Sequence, residues 1–170
     1  MTRSPSELLE VHDVLAERFA VHQEKLIAGE LAVAEEHLEA YSSALRVHVR
    51  SEEELVIPAF EALGLDCERG RSELYRAEHA KILWWLDELR RGLAALRAGG
   101  GDVRAVIALL DREGTFKRVM EHHDLREREY LYPLLDEHAS EVERRELWDA
   151  LELLEEAPLP AIAPDEAAAE

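Results

Sequence analysis

The sequence predicts an all-α fold: an up-down-up-down antiparallel four-helix bundle with a short fifth helix at the C-terminal end. Three observations predict it. Apolar residues recur at helical spacing along four long segments. Ala, Leu, Glu and Arg dominate, and the β-branched and aromatic residues that favour strands never form an alternating run. Breaks at Gly29, residues 64–71 and residues 99–101 are short, so consecutive helices reverse direction.

The first helix opens at Ser4, with Pro5 suited to the first helical position and Glu7 placed to complete a capping box. Its stripe is Leu8, Leu9, His12, Leu15, Ala16, Phe19 and Leu26, and Gly29 ends it. A second helix is predicted over residues 31–63, carrying Leu38, Tyr41, Leu45, His48, Glu52, Leu55 and Ala59 on one side, with Pro58 bending its last turns. A third, residues 72–98, aligns Tyr75, His79, Ile82, Leu83, Leu86 and Leu93. Asp102 caps a fourth, which runs to about Tyr132 and is expected to be irregular near Gly114 and Pro133. The fifth spans residues 140–156, opened by Ser140 with Glu143 three residues later. Residues 1–156 thus form the bundle. Residues 157–170, rich in Pro and Ala, carry no periodic stripe and read as a disordered acidic tail.

Twenty Lys and Arg against 38 Asp and Glu leave a formal charge of −18. Such a surface repels nucleic acid and anionic lipid, so neither is an expected partner. No apolar run reaches membrane length, and the segment MTRSPSELLEVHD lacks the apolar core of a signal peptide. The single cysteine, Cys67, cannot form an internal disulfide. Cytoplasmic location is the expectation. Trp84 and Trp85 are adjacent and cannot both face the core, so one is expected on the surface.

An internal repeat organises the chain. His48 to Phe60 (HVRSEEELVIPAF) and His123 to Leu135 (HDLREREYLYPLL) align without a gap, each with Glu four residues and Pro ten residues after its histidine. The chain reads as two helical hairpins carrying the same equipment.

At about 100° per residue, His123 and Glu127 lie mid-stripe on the fourth helix, and His122 faces the rim. His48 and Glu52 do the same on the second helix, His79 on the third and His12 on the first. One histidine on an apolar face is ordinarily a core residue satisfied by a single hydrogen bond. Six ionisable groups on four helices are a heavier burden. Each buried polar group left alone costs about 1–3 kcal/mol, against a typical stability of about 5–15 kcal/mol. Pairing each glutamate with the histidine four residues before it leaves His12 and His79 over. The alternative to metal is a bundle whose buried groups satisfy one another or recruit water.

Level along the bundle agrees. His12 lies 17 residues before Gly29 and His48 lies 19 after it, and His79 and His123 are placed alike about residues 99–101. Each pair meets across its hairpin. His22 lies about 80° off the stripe and near the level of His37. Both are expected to be partly exposed, with a second site from the two as the rival reading. His138 takes no role.

Four imidazoles and two carboxylates form a mixed nitrogen and oxygen set, which suits iron, with manganese or zinc behind it. The glutamates, one per hairpin, each offer two oxygens and can bridge two ions. Even with a shared oxo or hydroxo bridge, coordination positions remain open for water, dioxygen or peroxide.

The pattern resembles the hemerythrin-like, or HHE cation-binding, family. The resemblance covers about residues 8–136. It rests on His12, the run His48-Val-Arg-Ser-Glu52-Glu53-Glu54 ending at Pro58, Glu78-His79, and His123 to Glu127 with Tyr132-Pro133. It implies a non-haem diiron centre in a four-helix bundle, with His12, His48, Glu52, His79, His123 and Glu127 as ligands. Members bind oxygen, sense oxygen or iron, or handle peroxide and nitric oxide. Oxygen-carrying hemerythrins have a further histidine where Leu83 stands here, and an aspartate where Glu127 stands. With fewer nitrogen ligands, redox reaction with oxygen or peroxide, including weak peroxide decomposition, is favoured over reversible carriage. The second function class is an iron- or oxygen-sensing module, in which metal occupancy controls bundle stability or partner binding.

Overall fold

The computed structural model describes residues 3–156, with side chains to Leu151. The tail expected at 157–170 lies outside the described residues. A 3-10 turn, Pro5–Leu9, leads into α1, Glu10–Ile27. Then come α2, Leu31–Ser51, α3, Ile57–Ala62, α4, Ser72–Ala98, and α5, Val103–Arg126. The chain closes with α6, Tyr132–His138, and α7, Glu141–Glu156. Five residues of π-helix, Glu52–Val56, join α2 to α3, and five more, Glu127–Leu131, join α5 to α6. The four long rods are therefore α1, α2–α3, α4 and α5–α6. Hairpin neighbours α1–α2 and α4–α5 pack closely, α2 packs on α4, and α1 meets α5 to close the ring. This is the up-down-up-down bundle with a short fifth helix, α7, laid on α2 and the Glu52–Val56 turn. Among the described residues, no helix is long and apolar enough to cross a membrane.

The predicted caps form. Glu7 accepts from the Ser4 N–H at 2.8 Å, and Asp102 accepts from the N–H groups of Arg104 and Ala105. Ser140 and Glu143 complete their box at 2.7 and 3.3 Å.

The two π-turns are the form taken by the bend expected at Pro58 in the second helix and the irregularity expected near Pro133 in the fourth. Ile57 N–H reaches back five residues to Glu52 O, and Tyr132 N–H does the same to Glu127 O. The cause is Pro58 and Pro133, each six residues after the glutamate. A proline ring inside a helix clashes with the carbonyl four residues back and leaves it without a donor. One extra residue in the turn relieves that clash. The turn also shifts the phase of everything after it. A constant 100° step puts Leu55, Ala59 and Leu134 mid-stripe and sends Ile57 and Tyr132 to the far side. In the structure Ile57 and Tyr132 are fully buried, while Leu55, Ala59 and Leu134 are only partly so. The irregularity expected at Gly114 does not occur; α5 runs straight through it.

Two apolar cores result, one on each side of the layer that holds the six ionisable residues. Toward Gly29 and Gly99 lies a cluster built on Phe19, Tyr41, Phe116, Leu86 and Leu93. Its three rings meet at centroid distances of 4.9, 5.3 and 6.1 Å. Toward the prolines lies a second cluster, with Ile57, Phe60, Tyr75, Tyr132 and Leu135, completed by Leu147 and Leu151 of α7. Trp84 is exposed and Trp85 packs against the first core, dividing the pair as expected.

The α4–α5 turn depends on Gly101, whose φ is +77° and whose added Cβ would stand 2.9 Å from Leu31 Cδ1. Gly114 has open space within α5. Urea midpoints should therefore move in opposite directions. Gly101→Ala is expected to lose about 1–2 kcal/mol, the cost of a left-handed alanine, and Gly114→Ala to gain about 0.5–1 kcal/mol.

Candidate metal centre

His12 comes from the first turn of α1, His48 from the last turn of α2, His79 from the first third of α4 and His123 from the last turn of α5. Glu52 and Glu127 are the first residues of the two π-turns. All six converge. His12 Nε2 stands 3.0 Å from His48 Nε2, and His79 Nε2 stands 3.2 Å from His123 Nε2, so each pair meets across its own hairpin. Glu52 Oε2 lies 3.5 Å from His48 Nε2 and 3.1 Å from His79 Nε2. Glu127 splays across the layer, Oε1 at 2.9 Å from His123 Nε2 and Oε2 at 3.2 Å from His12 Nε2.

The donor atoms fall into two groups with metal-binding spacing: His12, His48, Glu52 and Glu127, and Glu52, His79, His123 and Glu127. Within each, all donor atoms lie within 4.8 Å of one another. Both glutamates belong to both groups.

Carboxylates outside the layer orient the rings. His12 Nδ1 bonds Asp124, His79 Nδ1 bonds Glu53 at 2.7 Å, and His123 Nδ1 bonds Glu78 at 3.3 Å. An ionised carboxylate only accepts, so these rings carry hydrogen on Nδ1 and turn the Nε2 lone pair inward. Arginines hold the carboxylates in turn: Arg128 on Asp124, Arg76 on Glu53 and Arg126 on Glu78. Tyr132 donates to Glu52 Oε1 at 2.5 Å, leaving Oε2 aimed at the imidazoles. Glu52 Oε2 and both oxygens of Glu127 are buried with no hydrogen bond. Lone pairs facing lone pairs at 2.9–3.5 Å, shut away from water, are a demand for cations. The residues fit a metal on that ground, and a nitrogen and carboxylate set suits a divalent first-row ion.

In the metal-free chain protons meet part of that demand. Burial pushes His48 down to about 4, so it is neutral near pH 7. Burial also opposes charge on His123, but the carboxylates of Glu127, Glu78 and Glu52 outweigh it and lift the ring to about 10. Burial and the neighbouring Glu52 charge push Glu127 up to about 8. Glu52 goes the other way: burial raises it, yet the surrounding imidazoles hold it well below the usual carboxylate range.

The six residues singled out in the sequence are thus brought into one layer. The outer carboxylates Asp124, Glu53 and Glu78, and Tyr132, stand in the motif runs of the sequence with no role assigned to them there. His22 needs correcting. It is fully buried rather than partly exposed. Its Nδ1–H donates to Ala34 O at 2.8 Å and Nε2 meets Glu113 Oε1 at 2.9 Å, while Gln23 donates to Glu113 Oε2 at 2.9 Å. Glu113 lies about 80° off its own stripe, as His22 does, and the two stripe edges meet where α1 faces α5. His37 is half-buried, and among the described residues neither histidine joins a metal-spaced group. His122 is exposed, as expected, and so is His138.

Fold and site together define a helical-bundle protein that binds metal through histidine and glutamate. The description "hemerythrin HHE cation binding domain" matches residues 4–112, more than half of the chain. The chain belongs to that family. The match ends before His123 and Glu127, which the fold supplies from the second copy of the internal repeat. Comparison with curated proteins gives no match, and neither does comparison with solved structures.

Because the metal-free layer holds protons on His123 and Glu127 at neutral pH, metal must displace them. Groups with raised values stay protonated until pH climbs past about 8 and 10. Apparent metal affinity should therefore rise steeply from pH 6 to pH 8, with proton release on loading. Calorimetry in buffers of different ionisation enthalpy measures that release, and buffer-independent heats would contradict it.

Proposed function

We propose that His12, His48, Glu52, His79, His123 and Glu127 hold two iron ions and that the centre binds or reacts with small oxidants. Dioxygen, peroxide and nitric oxide are the ligands in view. The sharing of both glutamates between two histidine pairs carries this reading, because a site for one ion needs no second pair. Iron suits the donor set better than manganese or zinc. A pair of ferrous ions supplies electrons and open coordination positions to a small oxidant. The chain's own residues do the rest. Asp124, Glu53 and Glu78 keep a proton on Nδ1 of three ligand rings, Tyr132 fixes the pitch of Glu52, and the apolar cores exclude bulk water. Leu83, one turn past His79, is partly buried against the core and offers no further imidazole. Fewer nitrogen ligands favour redox turnover, including weak peroxide decomposition, over reversible carriage.

A sensing role is the second reading, and one contact favours it. Helix α7 lies on the π-turn that begins at Glu52, so a movement of Glu52 on metal loading reaches the surface through α7.

Protein purified without added metal should contain about two irons per chain, with near-ultraviolet bands that change on reduction and on peroxide addition. Because both ions share the glutamates, Glu52→Ala and Glu127→Ala should each lose both irons, whereas His12→Ala should keep about one. Zinc in place of iron, or two irons retained in Glu52→Ala, would sink the reading.

A further inference from the structure

We propose that a cavity between α1 and α5 is a binding pocket for the apolar body of a small, neutral organic hydroperoxide, held with its peroxy end at the metal centre. The inference rests on the oxidant-handling function proposed above and names a substrate class for it. The cavity measures about 210 Å³. Leu15, Phe19, Tyr41 and Phe116 wall it, and the buried site histidines His12 and His123 line it as well. Those two histidines belong to different metal-spaced groups, so an occupant meets both halves of the centre at once. The seam between α1 and α5 is the most loosely packed of the four around the ring. The cavity gives one approach to the layer, and a second hollow, lined by His48, gives another.

Size and charge select the occupant. Water takes about 30 Å³ in the liquid, and an apolar cavity of about 150 Å³ stays dry and accepts benzene. The space is therefore far larger than dioxygen or hydrogen peroxide fills, and it suits a ring-sized or branched hydrocarbon group. Its apolar walls disfavour filling by water. Asp13, Glu121 and Asp124 surround the mouth, against Lys117 and against Arg128, which reaches Asp124 at 2.8 Å and Asp13 at 3.6 Å, on a chain of formal charge −18. That field turns away anions such as an ionised fatty-acid hydroperoxide. A neutral molecule passes the charged mouth without penalty and meets the buried imidazoles of His12 and His123 beyond the apolar walls, which orients it.

Benzyl alcohol, an unreactive neutral stand-in, and benzoate, its anionic counterpart, test the pocket by isothermal calorimetry on the full chain as purified. Benzyl alcohol should bind saturably at one site, and benzoate about tenfold more weakly or not at all. Ala16→Phe fills the cavity from its lip on α1 and Met120→Phe fills it from α5. Each should abolish benzyl alcohol binding with helix content unchanged. Absence of saturable binding, equal binding of benzoate, or binding that survives both substitutions would overturn the proposal. Failure of the metal reading shows separately, as absence of iron-dependent optical bands, and the titration judges the cavity on its own.

Discussion

The structure is organised around a layer of buried acceptors that have almost nothing to accept from. Three of the four histidines give their Nδ1 hydrogen to a carboxylate outside the layer. Their Nε2 lone pairs then face inward, against the oxygens of two fully buried glutamates. Among the described residues, Tyr132 is the one hydroxyl that donates to either carboxylate. A layer of this kind is unstable without cations, since lone pairs brought to about 3 Å repel and water cannot reach them. Protons meet the demand partly and unevenly, which is why His123 and Glu127 are driven up while His48 is driven down. Metal ions would meet it with the geometry the residues already have. The two apolar cores above and below provide the rigidity that keeps these groups together before any ion arrives.

The outer ring explains how such a layer stays in shape. Each backing carboxylate is a sequence neighbour of one site residue and supports the histidine of another helix. Glu53 follows Glu52 but holds His79, Glu78 precedes His79 but holds His123, and Asp124 follows His123 but holds His12. The supports therefore cross every helix boundary except that between α1 and α2, where the two imidazoles meet directly. Arg76, Arg126 and Arg128 extend the chain of support to the surface. His22 and Glu113 do similar work at the other end of the bundle, tying α1 to both α2 and α5.

Much of this was legible in the residues. The six site residues sit mid-stripe, where a constant helical step is a good guide, and hairpin lengths bring their levels together. The residues after Glu52 and Glu127 were not legible in the same way. A π-turn is imposed by proline downstream and shows no periodicity of its own, so a constant step carries Leu55 and Ala59 into the stripe where the structure buries Ile57. Pro58 and Pro133, at equal distance from the two glutamates, are the signal that something changes there, though a bend rather than a wider turn is the usual inference. The backing carboxylates were hidden for another reason. Glu53, Glu78 and Asp124 are three among 38 acidic residues, and only the packing of one helix against the next says which of them reaches a ring. Position at the edge of a stripe misled in the case of His22, because a face 80° from one core direction points directly at a neighbouring helix.

The central claim is that one layer of shared glutamates holds two cations side by side. Anomalous diffraction at the iron edge, from crystals of the chain as purified, tests it most directly. Two resolved peaks are predicted, one bounded by His12 and His48, the other by His79 and His123, with Glu52 and Glu127 adjoining both. A single peak, or peaks away from these six side chains, would contradict the account.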